Sequence, residues 1–497
     1  MSWELDWLEN RARLSPKKTA IIDEMTNKAW TYQELNDRAI STASWLHNQG
    51  VKKGDRIALL SPNHICYFDL LFACGKMGAV FVPLNWRLSV QEINEILEDC
   101  KPILIGVHLQ FSSIANQIDG PSSFLIGGTI YDEIVSYKKD ECCSIDISET
   151  DPMVMIYTGG TTGKPKGVVL SHRSILWNAI NTVLSWNLDA EEVTINYLPM
   201  FHTGGLNALC IPILLNGGTV VLADQFTGPG AVDSINQFRC TVILLVPTMY
   251  HMLIQTLEFQ NNKFPDMKFF LSGAAPCPLQ IYDAFQRKGL AFKEGYGLTE
   301  AGPNNFYISP EDAQIKRGSV GKPMLMNAIK ILKADGKEAG TNEVGELLIR
   351  GKHSFTYYWN NDRATQETFK DGWLCTGDLA KRDEDGFYYI VGRKKDMIIT
   401  GGENVYPLEI EHWLAAHPAV DEVAVTGLPD EKWGEIVAAF IVTKPPITLQ
   451  DEELRAYCEP KLGRYKIPKR FIYLEELPKT HVGKIDKKKL IELCNKM

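Results

Sequence analysis

The stretch Tyr157-Thr-Gly-Gly-Thr-Thr-Gly-Lys-Pro-Lys-Gly167 is the most informative segment of the chain. It follows a short apolar run, Met153 to Ile156, which predicts a strand that leads into a loop. Glycines let the backbone approach an anion, hydroxyl side chains donate hydrogen bonds, and lysines supply positive charge. The stretch therefore predicts a loop that holds phosphate groups at the end of a strand.

This loop differs from the phosphate loop of P-loop NTPases. That motif separates its two glycines by four residues and continues with a lysine and a metal-binding hydroxyl. Gly159 and Gly163 are separated by one residue fewer, and Pro165 stands where the hydroxyl is needed. The P-loop interpretation is therefore excluded.

The segments around the loop alternate between helix and strand patterns. Thr31 to Glu34 forms a capping-box pattern that opens a helix ending at Gly50. Apolar strands are predicted at 57–60, 79–82, 218–222 and 241–246. Such alternation is typical of parallel sheets flanked by helices. Beyond about residue 340 the pattern changes to short strands, including 346–350 and 387–391, and the last 100 residues read as a small α+β unit.

Composition narrows the class of protein. The 497 residues are 45% hydrophobic and 23% charged, which is ordinary for a globular chain and excludes a disordered or fibrous one. The net charge of −9 gives no general attraction for nucleic acid. We expect no signal peptide, no transmembrane helix and a cytoplasmic location, with the 11 scattered cysteines as reduced thiols.

The loop closely resembles the phosphate loop of the adenylate-forming superfamily, which includes acyl-CoA synthetases, nonribosomal adenylation domains and beetle luciferases. The resemblance extends over nearly the whole chain. It implies an α/β fold with a large N-terminal AMP-binding domain, residues 1–392, built of parallel-sheet αβ subdomains and a β-rich subdomain. A hinge at 393–396 and a small mobile α+β C-terminal domain at 397–497 would follow. The family usually has serine at the position of Gly159, so we expect weaker binding of pyrophosphate or a different motion of the loop, without loss of the chemistry.

The resemblance also implies which residues bind the nucleotide and CoA. In the loop these are Thr158, Gly159, Gly160, Thr161, Thr162, Gly163 and Lys166. The residues that would contact adenine, ribose and phosphate are Gly273, Ala274, Ala275, Tyr296, Gly297, Thr299, Asp378 and Arg393. Lys395 lies at the hinge position, and Gly401, Gly402 and Glu403 lie in the loop used for thioester formation.

Three catalytic roles follow from the same resemblance. His202 would lie beside the substrate carboxylate, although a histidine taken alone is more often a buried structural residue. Glu300 would bind Mg²⁺. Lys484 would stabilise negative charge during adenylation, because a flexible ammonium can reach both the carboxylate and the α-phosphate. The basic segment 461–489, with ten Lys and Arg against three Asp and Glu, would attract the phosphates of CoA.

These residues predict an ATP- and Mg²⁺-dependent acid–CoA ligase that forms an acyl-adenylate and then a CoA thioester. A medium- or long-chain fatty acid is the expected substrate. The expected pocket positions Leu206, Val246, Met249 and Ala275 are apolar, their segments hold no Lys or Arg for a second carboxylate, and Gly204-Gly205 would leave room.

Other interpretations stay open at this point. The acid could be an aryl acid of the benzoate, cinnamate or o-succinylbenzoate type. The protein could instead load a separate carrier protein, or bind nucleotide without catalysis. The predicted partners are a small carboxylic acid and CoA, with no nucleic acid. Peripheral membrane contact stays open, as does the choice between a monomer and a homodimer.

Overall fold

The structure is a computed structural model that describes residues 3–138, 146–159, 165–447, 449–479 and 485–494. The α-helices of these residues are α1 (Trp7–Leu14), α2 (Tyr32–Asn48), α3 (Cys66–Met77), α4 (Val90–Cys100), α5 (Ser112–Ala115), α6 (Gly128–Val135), α7 (His172–Trp186), α8 (Thr203–Asn207), α9 (Cys210–Asn216), α10 (Gly228–Gln237), α11 (Pro247–Ile254), α12 (Leu257–Asn261), α13 (Leu279–Arg287), α14 (Pro310–Ile315), α15 (Asp362–Thr368), α16 (Pro407–Ala415), α17 (Asp451–Cys458) and α18 (Lys487–Cys494).

The strands are β1 (Thr19–Asp23), β2 (Ala29–Thr31), β3 (Arg56–Leu60), β4 (Val80–Pro83), β5 (Leu104–His108), β6 (Ser122–Ile126), β7 (Pro152–Thr158), β8 (Lys166–Ser171), β9 (Val193–Asn196), β10 (Thr219–Leu222), β11 (Val242–Leu245), β12 (Phe269–Ser272), β13 (Phe292–Glu294), β14 (Phe306–Tyr307), β15 (Lys322–Pro323), β16 (Ala328–Leu332), β17 (Gly345–Arg350), β18 (Tyr357–Tyr358), β19 (Phe369–Lys370), β20 (Trp373–Arg382), β21 (Tyr388–Arg393), β22 (Ile398–Thr400), β23 (Glu403–Val405), β24 (Val420–Asp430), β25 (Gly434–Thr443) and β26 (Arg470–Tyr473).

The capping-box pattern at Thr31 forms as predicted. The Thr31 hydroxyl accepts the Glu34 amide hydrogen, and the Glu34 carboxylate accepts the Thr31 amide hydrogen, so α2 begins with two satisfied donors. Leu35, Ala39 and Leu46 on one face of α2 are fully buried. Each buried leucine contributes about 2 kcal/mol relative to exposure, and the helix is therefore fixed by this face.

The largest sheet has seven strands in the order β18-β8-β7-β4-β3-β5-β6. Its strands from β7 to β6 run parallel, as the alternation of helix and strand predicts. Strand β8 is antiparallel to both of its neighbours, β7 and β18, so the sheet is mixed. The predicted phosphate loop lies between β7 and β8 in sequence. The residues that flank it, Thr158 at the end of β7 and Lys166 at the start of β8, thus lie at the carboxyl end of a parallel strand, where ligands bind in open α/β sheets.

Two further sheets complete the αβ part of the molecule. One has the order β2-β1-β10-β9, in which β1, β10 and β9 are parallel. The other is the parallel sheet β11-β12-β13. The carboxyl ends of β12 and β13 lead directly into residues 273–275 and 296–300, which contain the predicted nucleotide-binding residues and Glu300.

The predicted change to short antiparallel strands is also confirmed. Strands β16, β17, β20 and β19 form an antiparallel sheet, and β21 pairs with β20. Gly386, with φ of +83°, turns the chain between β20 and β21 at the predicted Asp385-Gly386 turn.

The last part of the chain folds around its own core. Strands β23-β22-β25-β24, with β26 parallel to β25, form a sheet covered by helices α16, α17 and α18. Two hydrophobic clusters consist wholly of residues from Ile398 onward. Gln280 Nε2, in the preceding part of the chain, donates a hydrogen bond of 2.9 Å to the Ala415 carbonyl oxygen.

Two features of the described residues bear on the surroundings of the protein. None of their helices is long and apolar enough to cross a membrane. Nine cysteines lie among them, and all nine are free thiols: Cys66, Cys74, Cys100, Cys210, Cys240, Cys277, Cys375, Cys458 and Cys494.

Candidate active site

The predicted phosphate loop leaves β7 at Thr158 and returns in β8 at Lys166, and these two residues are paired across the strands. Gly160, Thr161, Thr162 and Gly163 lie outside the described residues, so their predicted roles stay predictions. Gly159 is exposed, and a Cβ atom built on it would have no atom within 4 Å. A serine would fit at this position, so the glycine is not required by packing.

Lys166 is connected to Glu300 through Tyr358. The Lys166 Nζ atom lies 5.1 Å from the centre of the Tyr358 ring. The Tyr358 hydroxyl donates a hydrogen bond of 2.8 Å to Glu300 Oε1. The Glu300 carbonyl oxygen accepts the Phe355 amide hydrogen at 2.7 Å, which ties the turn at Thr299-Glu300 to the segment before β18. Lys166 and the predicted magnesium ligand Glu300 therefore both contact the same tyrosine.

A second connected group surrounds Asp378 on β20. Asp378 is 5% exposed, and its Oδ2 atom accepts the Tyr296 hydroxyl at 2.6 Å. Its Oδ1 atom accepts Arg393 Nε at 2.9 Å, across the Asp378–Arg393 pair of β20 and β21. Burial, followed by the Asp378 charge, raises the pKa of Tyr296 well above its usual value, so the phenol stays a donor. The structure thus brings together the three predicted ribose and adenine residues.

The small residues predicted to border the adenine lie in two tight turns. Ala274 has φ of +69°, a left-handed conformation that costs a non-glycine residue about 1–2 kcal/mol. Gly273 precedes it, and Ala275 is exposed. A Cβ atom on Gly297 would lie 2.1 Å from the Pro303 carbonyl oxygen, so this position in the turn admits only glycine.

His202 begins α8 and is half-buried beside Phe201, with the two ring centres 4.5 Å apart. The loop that leads to it is held by Asn63. Asn63 Nδ2 donates to the carbonyl oxygens of Leu198 and Ala223 at 3.0 and 3.1 Å, and Asn63 Oδ1 accepts the Met200 amide hydrogen at 3.0 Å. A side chain from the end of β3 therefore fixes the position from which His202 projects.

A narrow crevice lies between β9, β11 and the helices α8 and α9, and of the predicted pocket positions it includes Gly204 and Gly205 but not Leu206, Val246, Met249 or Ala275. It is lined by Thr194, Ile195, Asn196, Gly204, Gly205, Leu209, Cys210 and Leu244. Gly204 leaves space as expected, because a Cβ atom there would meet only Leu198 Cδ1 at 3.9 Å. The expectation for Gly205 is wrong, since a Cβ atom would lie 2.3 Å from the Pro199 carbonyl oxygen. Gly205 serves backbone packing. Of the predicted lining residues, Leu206 is fully buried.

The predicted hinge is a short 3-10 turn, Lys394–Asp396, that follows Arg393. Lys395 is exposed, and its neighbour Lys394 pairs with Glu346 at 2.8 Å. Gly401 and Gly402, with φ of +59° and +87°, form the tight turn between β22 and β23. Glu403 begins β23 and is exposed.

The basic C-terminal segment is partly paired with acids, and its predicted catalytic lysine is not described. Lys466, Lys479 and Lys487 form ion pairs of 2.6 to 2.8 Å with Glu409, Glu422 and Glu411. The local positive charge is therefore smaller than the sequence count suggests. Lys484 lies outside the described residues, and its role stays a prediction.

The sequence did not identify three residues that hold the predicted site residues in place. Tyr358 orients Glu300, and Asn63 holds the loop before His202. Glu294 contacts the turn at 273–277. A polar residue just after a predicted strand, as Asn63 is after β3, is a usable signal. Tyr358 and Glu294 carry no such signal in a single sequence.

A two-part α/β protein that places Lys166, Glu300 and the small-residue turns beside the ends of parallel strands belongs to the class of nucleotide-dependent enzymes. Comparison with known proteins gives the family. The AMP-binding enzyme family matches residues 8–359, and its C-terminal domain matches residues 409–484. The chain belongs to the AMP-binding enzyme family.

Relatives of known activity cover nearly the full length. A feruloyl-CoA synthase of Amycolatopsis sp. is 37% identical over 96% of both chains. A long-chain-fatty-acid–CoA ligase of Mycobacterium tuberculosis is 35% identical over 98% of this chain and 97% of its own. The o-succinylbenzoate-CoA synthetase of Bacillus subtilis, solved with its acyl-adenylate intermediate, has a TM-score of 0.88 and 33% identity over 98% of this chain and 97% of its own. The same synthetase has also been solved with ATP and magnesium ion.

These relatives confirm the predicted superfamily and the predicted α/β fold. They also confirm the predicted class of enzyme, an AMP-forming acid–CoA ligase, and are consistent with ATP, Mg²⁺ and CoA as its cofactors.

Proposed function

We propose that this acid–CoA ligase activates a hydrophobic monocarboxylic acid, with a medium- or long-chain fatty acid as the first candidate. The acid would be converted to an acyl-adenylate and then to the CoA thioester. The observation that carries the proposal is the connection from Lys166 through Tyr358 to Glu300. It joins the phosphate-binding loop to a carboxylate suited to a phosphate-bound cation, as adenylation requires.

We assign the nucleotide roles as follows. Thr158, Gly159 and Lys166 would contact the phosphates, and Asp378 would accept the ribose hydroxyls while Arg393 and Tyr296 hold it in place. Each carboxylate oxygen has two lone pairs, so Asp378 can accept from a ribose as well as from its present partners. Gly273 to Ala275 would border the adenine. His202 would hold the substrate carboxylate near the α-phosphate.

Magnesium fits this arrangement through Glu300. Among the described residues no group of three or more His, Cys, Asp or Glu comes together as a metal cluster. A single carboxylate is nevertheless what Mg²⁺ uses when phosphate oxygens and water complete its coordination. When bound, the ion would neutralise charge on the phosphate oxygens. Because the Tyr358 hydroxyl binds Glu300 Oε1, the other carboxylate oxygen, Oε2, would contact that ion.

The second half-reaction needs a different surface, and we propose that it comes from movement of the C-terminal domain. We place the boundary after residue 392, the hinge at 393–396 and the mobile domain from 397 onward. The separate hydrophobic clusters from Ile398 onward support this division. Lys395 would be the pivot, and the turn at Gly401, Gly402 and Glu403 would approach the site when the thiol attacks.

Lys484 would act in the first half-reaction. Lys484→Ala should reduce adenylation strongly while thioester formation from supplied acyl-AMP continues. Pyrophosphate exchange and single-turnover thioester formation measure the two steps separately. Equal loss in both would contradict the assignment.

An aryl acid is the second candidate substrate. Two of the relatives are ligases whose names specify aryl acids, ferulate and o-succinylbenzoate. Gly204 carries no side chain, and a Cβ atom there would meet only Leu198 Cδ1 at 3.9 Å, which would favour a planar ring beside this glycine.

Mass spectrometry of the thioesters formed from a competing panel of acids tests the substrate. The panel contains short to long fatty acids, benzoates, cinnamates and o-succinylbenzoate, with ATP, Mg²⁺ and CoA. A dominant fatty acyl-CoA supports the first candidate, and a dominant aryl thioester replaces it with the second. Acyl-AMP without thioester would favour loading of a carrier protein, and no product with any acid would contradict the ligase proposal.

We further propose a cytoplasmic location, supported by the nine free thiols of the described residues. Native mass measurement would decide between the monomer and the homodimer.

A further inference from the structure

Glu294, the last residue of β13, is a buried carboxylate directly behind the turn at Gly273–Cys277. It is 6% exposed. Its Oε2 atom accepts the Cys277 amide hydrogen at 3.0 Å, and its Oε1 atom accepts the Tyr282 hydroxyl at 2.6 Å. One side chain therefore contacts both the end of the turn and the helix α13 that follows it.

The turn needs such support because its conformation is strained. Ala274 is held at φ of +69°, and Ala274, Ala275 and Pro276 are exposed. At its start the turn is held by the Gly273 amide, which donates to the Leu245 carbonyl oxygen at 3.3 Å. At its end it is held by Glu294. A strained conformation persists only where the surroundings fix it at both ends.

Glu294 also links the turn to Tyr296. The next residue, Gly295, donates its amide hydrogen to the Ser272 carbonyl oxygen at 2.8 Å. Tyr296 then donates to Asp378. The two sides proposed to border the adenine are thus connected through the ends of β12 and β13.

Burying the charged form of an acid at this position costs free energy. Burial raises the pKa of Glu294 to about 7, and the two hydrogen bonds only partly offset this. An apolar side chain would avoid this cost but could not bind the Cys277 amide hydrogen.

We propose that Glu294 is a positioning residue for ATP, which holds the Gly273–Cys277 turn in the conformation that receives the adenine. This inference rests on the proposed nucleotide site. Glu294 touches no reacting atom in this scheme and acts through the turn.

Glu294→Asp and Glu294→Gln test the proposal as a pair. Aspartate is one methylene shorter and cannot reach both partners. Glutamine keeps the length, so its carbonyl oxygen can accept the Cys277 amide hydrogen while its amide donates to the Tyr282 oxygen. We expect Glu294→Asp to raise the KM and Kd for ATP about tenfold, the factor for losing one hydrogen bond to a charged group. The KM values for CoA and acid should not change, and Glu294→Gln should stay within about threefold of wild type.

Glu192→Gln is the matched control. Glu192 is 1% exposed and pairs with Lys268 at 2.8 Å, but it precedes β9, at the end away from the site. It should lower thermal stability without changing the KM for ATP. Tyr282→Phe is a second, milder variant that removes the donor to Oε1 and should raise the KM for ATP about threefold.

The inference is overturned if Glu294→Asp leaves ATP affinity unchanged, or if it weakens ATP, CoA and acid equally. It is also overturned if Glu294→Gln behaves like Glu294→Asp. Calorimetric ATP binding to these variants requires no acid substrate. Failure of the substrate panel would therefore count against the proposed function, while the calorimetric result would still decide the role of Glu294.

Discussion

Asp378 and Gly402 illustrate how differently the two sides of the hinge are built. Asp378 is buried and holds Tyr296 and Arg393 through both of its oxygens. Gly402, with φ of +87°, lies exposed in a turn where a Cβ atom would have no atom within 4 Å. Charge stabilisation works best from groups that are already oriented, whereas a moving element needs a surface free to change neighbours. We infer that adenylation uses groups that are already held in place, such as Asp378, whereas thioester formation uses the turn at Gly402, which moves toward the site.

Asp378→Asn should cause the largest loss on the fixed side. It leaves Arg393 without its carboxylate and removes the negative charge proposed to hold the ribose. Because the Asp378 carboxylate is buried and orients both Tyr296 and Arg393, we expect ATP–pyrophosphate exchange to fall about 100-fold. Asp383→Asn is the control, since Asp383 pairs with Lys316 at 2.9 Å just beyond the carboxyl end of β20. Similar losses in both variants would mean that the sheet, and not the site, is affected.

Lys395→Pro should impair the second half-reaction, which depends on movement of the C-terminal domain. Proline fixes φ at the pivot, so adenylation should continue while thioester formation falls about tenfold. Rapid-quench measurement of acyl-AMP and acyl-CoA separates the two steps. Lys394→Ala removes the neighbouring ion pair with Glu346 without restricting φ and should have little effect on either step. Normal turnover of Lys395→Pro would argue against a hinge at this position.

Tyr358→Phe should weaken magnesium use on the fixed side. The variant loses the 2.8 Å hydrogen bond that orients Glu300, and loss of such an orienting group costs about tenfold in metal affinity. Titration of pyrophosphate exchange with Mg²⁺ measures the effect. Tyr357→Phe changes the adjacent residue of the same strand and should leave the titration unchanged. An unchanged titration in Tyr358→Phe would remove Glu300 from the magnesium site.

Gly159→Ser should have the smallest effect, a modest strengthening of pyrophosphate binding. The structure leaves space for the side chain, so the added hydroxyl should bind phosphate without strain. We expect pyrophosphate to inhibit about threefold more strongly, the value for one neutral hydrogen bond. Gly159→Ala adds the Cβ atom without the donor and serves as the control. Equal inhibition in both variants would indicate that chain stiffness is responsible.

Local sequence signals predicted those parts of the fold that depend only on neighbouring residues. The capping box at Thr31 and the turn at Asp385-Gly386 formed as expected, because neighbouring residues determine them. The antiparallel pairing of β8 and β18 was not predicted, since a short strand records its apolar pattern but not its partner. Pairing across almost 190 residues depends on the complete fold.

The sequence predicted the site residues that lie inside recognisable motifs. It did not predict the residues that hold those motifs in place. Asp378, Tyr296 and Arg393 lie together as the resemblance implies. Asn63, Tyr358 and Glu294 reach the site from other strands, and their contacts are set by tertiary packing alone. Gly205 shows the opposite error, because a glycine that seemed to provide space for substrate provides space for the Pro199 carbonyl group.

The clamp formed by Asn63 has a consequence for how such an enzyme could acquire a new substrate. Asn63 holds the backbone at Leu198 and Met200, just before His202, and its Nδ2 atom also donates to the Asn196 carbonyl oxygen at 3.4 Å. Because Asn196 lines the crevice, the anchor for the carboxylate and one wall of the crevice depend on the same side chain. Mutations at lining residues that Asn63 does not contact, such as Leu244, can reshape the crevice without loosening the anchor, so specificity can drift while the chemistry is retained.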